Sequence, residues 1–178
     1  LIITAHTLED QVETFFIRLS RGSGLTGLSS MQEISEIDNK IKLFRPLLDT
    51  QKKILIKISK RIFGTYIKDP SNKNSKYLRT KIRSLKKPLI NSGINYDQII
   101  RSIKNLASSK ETIDIYYKEI FKKVIKKSKK DVSIELKKFY NFNQDIKLRF
   151  VNDCIKYISK NYYSPRSKKV INLINTLE

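Results

Sequence analysis

The chain has 178 residues, enough for one or two small domains, and 39% of them are hydrophobic. Lys and Arg number 37 against 17 Asp and Glu, a formal charge of +20 that points to a polyanionic partner. A single cysteine and a single histidine exclude an internal disulfide and argue against a zinc site, and no apolar run approaches the ~18 residues of a spanning helix.

The charge is unevenly placed. Residues 1–50 carry 5 basic and 7 acidic side chains, whereas residues 51–178 carry 32 and 10. A near-neutral head thus precedes a strongly basic body, as suits nucleic acid or an anionic surface. Enrichment in Lys, Ile and Asn through nucleotide bias in the source genome is the competing account of part of this charge. The lone cysteine fits a reducing cytoplasm.

Leu1, Ile2 and Ile3 read as a short strand of the buried kind. Thr7 then opens a helix, with Asp10 at the position of a capping box. Leu8, Val12, Phe15, Phe16 and Leu19 give that helix one apolar face, and Gly22, Gly24 and Gly27 follow it. His6, Asp10 and Glu13 therefore stand where a strand passes into a helix, the place where open α/β sheets bind ligands. Two readings of the carboxylates are open. Asp10 and Glu13 share a helix face and suit Mg²⁺, or they serve the helix start alone. Arg21, Gly22, Ser23 and Gly24 are likewise a phosphate loop or a helix stop.

Residues 25–39 read as a short helix and a surface loop, and residues 40–44 as a strand ended by Pro46. Thr50 is positioned to cap a helix that runs to Phe63 and stops at Gly64. Its apolar side is Ile54, Leu55, Ile58, Ile62 and Phe63. Asp69, Pro70, Ser71 and Asn72 form a turn. Residues 76–87 read as one basic helix with Lys76, Arg79 and Arg83 on one face, either a phosphate site or a solvated flank.

Pro88 and Gly93 mark a domain junction near residue 90. Helices are expected over residues 97–107 and 110–130, the second ending in Lys126, Lys127, Lys129 and Lys130. Those lysines suit either a helix C-terminus or a phosphate backbone. Ser133 is read as the cap of a short helix, Asn143 as the cap of residues 144–161, and Pro165 as the first turn of the last helix. Cys154 falls in an apolar stripe and reads as a buried thiol, while Tyr157, Tyr162 and Tyr163 suit base stacking or helix packing.

The ordered blocks resemble one family. His6, Asp10, Gln11, Glu13 and Thr14 stand at the spacing of the second signature of the tRNA(Ile)-lysidine synthetases, and RGSGLTGL at residues 21–28 follows as it does there. Arg45, Pro46, Leu47 and Leu48 resemble the family's RPLL, residues 69–72 its D-x-SN, and Tyr77, Arg79, Ile82 and Arg83 its Y-x-R-x-x-I-R. Thr7, Glu9 and Thr80 depart from the commoner His, Asp and Asn. The family belongs to the PP-loop ATP pyrophosphatases. The resemblance implies an α/β fold followed by an all-α part: residues 1–90 as the C-terminal portion of a Rossmann-like PP-loop (adenine nucleotide alpha hydrolase-like) domain, and residues 91–178 as a helical tRNA-recognition domain. The family's SGG-x-DS loop is absent from the chain, so the expectation is the middle and rear of a longer enzyme, inactive alone.

The reaction implied by the resemblance is a ligation. ATP adenylates C2 of cytidine 34 in the anticodon (CAU) of a minor tRNA(Ile), L-lysine attacks, and lysidine forms with release of AMP and pyrophosphate. By motif position Asp10, Glu13 and Arg21 would be catalytic, with Asp10 also the Mg²⁺ ligand. His6, Arg21 and Arg45 would bind ATP. Arg79, Arg83, Lys126, Lys127, Lys129 and Lys130 would bind tRNA. A cytoplasmic enzyme without membrane contact, with homodimerisation open, completes the expectation. The rivals are another PP-loop tRNA-modifying enzyme, which the lack of a cysteine pair disfavours, a non-catalytic basic RNA-binding protein, and a remnant of a split gene.

Overall fold

A computed structural model describes residues 1–38, 41–67, 76–129, 131–160, 165 and 167–177. The chain forms two compact units, Leu1–Glu111 and Thr112–Glu178.

In the first unit, β1 (Ile2–Ile3) leads into α1 (Leu8–Leu19) and the one-turn α2 (Leu25–Leu28). Next come β2 (Ile34–Asp38), β3 (Ile41–Phe44), α3 (Lys52–Phe63), α4 (Leu78–Ser84) and α5 (Lys86–Asn91). The sheet has the order β1-β3-β2, with β1 parallel and β2 antiparallel to β3. Ile2 stands opposite Leu43, and Ile34 opposite Phe44. The strand β2 corrects the expected helix and loop. Leu28, Met31, Ile34 and Ile37 recur every three residues, but backbone pairing with β3 decides the local structure. Leu1, Ile2 and Ile3 are exposed and not buried, because β1 is an edge strand.

Leu8 and Val12 of α1 are buried against Ile99, Ile100 and Ile103 of α6 (Tyr96–Val124), with Phe15, Phe16 and Tyr96 packed beside them. Gly64 ends α3 in the left-handed region at φ +72°, as the pattern predicts. The cap of α3 is Gln51 instead of Thr50. Its expected core face is largely open, with Ile54, Ile58, Ile62 and Phe63 all exposed.

The basic segment is two helices, not one. Pro88 is the third residue of α5, where a helix has no intrahelical use for its N–H, so it is accommodated instead of breaking the chain. The two helices expected over residues 97–130 are one from 96 to 124. Ala107, Ser108 and Ser109 contain no breaker. Asn95 and Gln98 close its start reciprocally: Gln98 N–H donates to Asn95 Oδ1 at 2.9 Å, and Asn95 N–H to Gln98 Oε1 at 2.8 Å.

In the second unit a hairpin of β4 (Ile125–Lys127) and β5 (Val132–Ile134) is followed by α7 (Leu136–Tyr140), α8 (Gln144–Ser159) and α9 (Ser167–Leu177). Lys126 and Lys127 thus lie on a strand and not on a helix end, so a helix dipole does not account for them. The β-branched Ile125, Val132 and Ile134 favour the ladder. Ser133 sits in β5, and Glu135 takes the cap position of α7. Asn143 Oδ1 accepts from Ile146 N–H at 3.0 Å, as expected of the α8 cap. Pro165 precedes α9 instead of entering it. Phe139, Phe150, Val170 and Ile174 centre the core, with Cys154 inside it. The expected fold class holds: a mixed α/β region precedes a mostly helical one, which adds a small hairpin. Among the described residues no helix is long and apolar enough to cross a membrane.

Candidate active site on helix α1

The first turn of α1 is fixed by its own side chains. Asp10 Oδ2 accepts from the Thr7 N–H and from the Thr7 hydroxyl, each at 2.9 Å. His6 Nδ1 shares a 2.9 Å hydrogen bond with Thr4 Oγ1. The three neighbouring carboxylates have separate fates. Glu9 accepts from Lys52 N–H at 2.9 Å and so caps α3. Glu13, only 2% exposed, takes the Arg83 guanidinium in a two-point contact of 2.5 and 3.1 Å, with Arg79 at 3.9 Å. Among the described residues Asp10 has only the Thr7 donors, and it lines a cleft of 270 Å³ with Ala5, Lys52, Ser59 and Tyr66.

The hydrogen bond to Glu13 holds the Arg83 guanidinium above its usual range; burial opposes this, and the charges of Glu13 and Asp10 reinforce it. Burial, then Glu13 and Glu9, push the Tyr96 phenol up. Lys86 Nζ lies 4.8 Å from the centre of the Tyr96 ring.

The polar side of α1 organises the following loop. Arg18 Nη1 donates to Gly27 O at 2.7 Å and to Ser30 O at 2.9 Å. Gln11 donates to Met31 O at 2.8 Å and accepts from Met31 N–H at 2.9 Å. Gly27 is required while Ser23 stays in place, since a Cβ there would meet Ser23 Cβ at 2.5 Å. Arg21 is exposed on this ordered loop. Burial, then the charge of Arg45, lowers the Arg18 guanidinium below its usual range. Arg45 Nη1 donates to Gln32 O at 2.8 Å and to Ser35 Oγ at 3.0 Å, and its buried Nε has no partner among the described residues.

Glu13, Arg79 and Arg83 are therefore gathered where α1 meets α4, whereas Asp10 lines the cleft with Lys52 and Ser59 of α3. His6 hydrogen-bonds back onto the strand exit, and Arg45 onto the loop and β2. Lys126, Lys127 and Lys129 belong to the other unit, and Lys130 lies outside the described residues, as do residues 69–72. Lys127 Nζ stands over the rings of Phe121 at 4.8 Å and Tyr157 at 4.6 Å. Sequence reasoning missed Arg18 and the role of Gln11. Gln11 stood within the recognised block, but a backbone partner twenty residues away leaves no local signal.

Among the described residues no three His, Cys, Asp or Glu side chains cluster for a metal. The single carboxylate of Asp10 fits Mg²⁺ in the way that ion usually binds, through one or two carboxylates and the oxygens of a phosphate substrate. Exposed Arg21 on a glycine loop fits the phosphates themselves.

Residues 1–89 match the PP-loop domain family. The tRNA(Ile)-lysidine synthase of Wolbachia pipientis wMel is 33% identical over 177 residues, 99% of this chain and 41% of that protein. The enzyme of that name from Wolbachia sp. subsp. Brugia malayi (strain TRS) is 32% identical over 175 residues, 98% of this chain and 40% of its own length. That of Orientia tsutsugamushi (strain Boryong) is 45% identical over 89 residues, 50% of this chain and 20% of its own length. The chain thus spans about two fifths of the two Wolbachia relatives it matches end to end. With this family match over the sheet, α1 and its glycine loop, the chain belongs to the PP-loop ATP pyrophosphatase superfamily.

Proposed function

We propose that the chain is part of a ligase that uses ATP to modify C2 of cytidine 34 in the CAU anticodon of a minor tRNA(Ile), joining L-lysine there to form lysidine. Residues 1–90 serve the chemistry and residues 91–178 hold the tRNA. The observation that carries the reading is the division of labour on one helix face. Glu13 is neutralised by Arg83, while Asp10, one turn earlier, lines a cleft and among the described residues hydrogen-bonds to Thr7 alone.

Mg²⁺ offsets phosphate charge when bound, and Asp10 is the side chain that would hold it. An amine is mostly protonated near neutrality, with a reference pKa of ≈ 10.4, so lysine must lose a proton before it attacks. A carboxylate at this cleft can take that proton. Arg21 and Arg45 stabilise negative charge that develops on phosphate, and His6 lines the nucleotide site from the strand exit. Arg79 and Arg83 hold the wall between nucleotide and tRNA, and the enzyme works in the cytoplasm.

The test is incorporation of labelled lysine into tRNA(Ile) by the chain joined to a segment that supplies an SGG-x-DS loop. Incorporation that needs ATP and fails with Asp10→Ala supports the reading. A folded fusion that binds ATP and tRNA yet transfers no lysine refutes it.

A further inference from the structure

Ile120, Val124 and Phe142 form the apolar floor of an open cleft of 440 Å³ in the second unit, with Lys123, Lys138 and Asn141 on its rim. Such a volume lies within the roughly 300–1,000 Å³ of small-ligand sites. The Phe142 ring is held edge-on to Phe150 at 5.4 Å, so the floor is anchored to the core. Lys122 and Lys137 are exposed and adjacent in sequence to the rim. Opposing them is Glu135, which meets Lys138 Nζ at 2.8 Å in a pair open to water on both sides. Exposed pairs of that kind are weak and exchange readily for another anion. The side-chain amide of Asn141, both donor and acceptor, has no partner among the described residues.

An apolar floor with two lysines and an amide on its rim matches the base face, the phosphate and the base edge of a nucleotide. Bases stack on apolar and aromatic surfaces, phosphates seek lysine, and an amide meets a base edge. We propose that this cleft takes one unstacked nucleotide of the bound RNA, its base over Ile120, Val124 and Phe142 and its phosphate between Lys123 and Lys138. Asn141 reads the base edge. The proposal rests on the reading of the protein as a tRNA-modifying enzyme.

The experiment measures binding of a tRNA(Ile) transcript to the whole 178-residue chain at several salt concentrations. Lys123→Ala with Lys138→Ala should weaken binding roughly tenfold and make the slope of log K against log salt shallower by about 1. Asn141→Leu, which leaves every charge in place, should weaken tRNA binding severalfold without changing the salt slope, and should leave binding to inorganic polyphosphate unchanged. Unaltered thermal melting in both variants keeps the effect local. If the parent binds tRNA and both variants bind it equally well, the cleft is not the site and the proposal fails alone. Preference of the parent for phosphatidylserine vesicles over tRNA overturns it in favour of a lipid headgroup. The lysine-incorporation assay separates either failure from failure of the enzymatic reading.

Discussion

Glu13 and Arg83, 70 residues apart in the chain, meet in a fork of two hydrogen bonds of 2.5 and 3.1 Å. The contact ties α4 to α1 and leaves a carboxylate almost wholly out of water. Glu13→Ala would set Arg79 and Arg83 facing each other without their counter-charge. The expected cost is about 2 kcal/mol, below the 3–5 of a fully buried pair because the Arg83 side chain remains 32% exposed. Urea unfolding checks this, and a joint Glu13→Met, Arg83→Met variant should recover most of the loss. An unchanged midpoint in Glu13→Ala would show that the pair adds nothing to the fold.

Asp10 should behave differently. Thr7→Ala should cost about 1 kcal/mol of stability with little change in turnover of the complete enzyme. Asp10→Ala should cost a similar amount of stability and about 10²-fold or more in turnover. Melting and single-turnover rates measured on the same samples separate cap from catalyst. Equal turnover losses in the two variants would reduce Asp10 to a cap.

The hairpin lysines divide by environment. Lys127 is sandwiched by two rings, so Lys127→Ala should lower stability by about 0.5–1 kcal/mol and speed amide exchange across β4 and β5. Lys126 and Lys129 are open to solvent, and removing them should flatten the salt dependence of tRNA binding without lowering the melting temperature. Binding titrations at several salt concentrations, set beside amide exchange, test both halves. The reverse assignment of effects would exchange the two roles.

Burial, then the charge of Asp153, pushes the Cys154 thiol up to about 11. A thiol with a raised folded value keeps its proton better in the folded state. Its stabilising contribution is therefore complete below the unfolded value near 9 and lost as pH rises toward 11. Unfolding midpoints at pH 8 and pH 10.5 should fall less in Cys154→Ala than in the parent. Identical falls would mean that the thiol does not titrate in this window.

The glycine loop offers a test of pre-organisation. Arg18→Ala removes a charged donor shared by two carbonyls, at a cost of about 2 kcal/mol, and should speed amide exchange over residues 21–31. Gly27→Ala should destabilise the loop because its Cβ collides with Ser23 Cβ, and Ser23→Gly should rescue it. Proteolysis of this segment provides the readout, and lack of rescue would place the strain elsewhere.

What could be read from sequence was what depends on neighbours in sequence. Thr7 and Asp10 are three apart, Gly64 stops its own helix, and Asn143 caps its own first turn. β2 could not be read, because Ile34–Asp38 is a strand only opposite β3. Nor could the turn of Lys126 and Lys127 out of a helix into a ladder, which needs Ser133 and Val132 as partners. The site divides in the same way. The residue types of Asp10, Glu13 and Arg83 were legible, but the pairing that sets Glu13 apart from Asp10 is a tertiary contact.

The starts of α1 and α3 exchange hydrogen bonds. Leu8 N–H donates to Thr50 O at 3.1 Å, and Lys52 N–H donates to Glu9 at 2.9 Å. Each helix has 12 residues, a length at which an isolated helix in water is marginal. Gln51 gives α3 no side-chain cap of its own, and the Lys52 N–H in its first turn is satisfied by a glutamate 43 residues upstream. Both helix starts are therefore satisfied only once the intervening chain has closed. A peptide covering α3 alone would stay largely coil, and Glu9→Ala would slow refolding by deferring that closure.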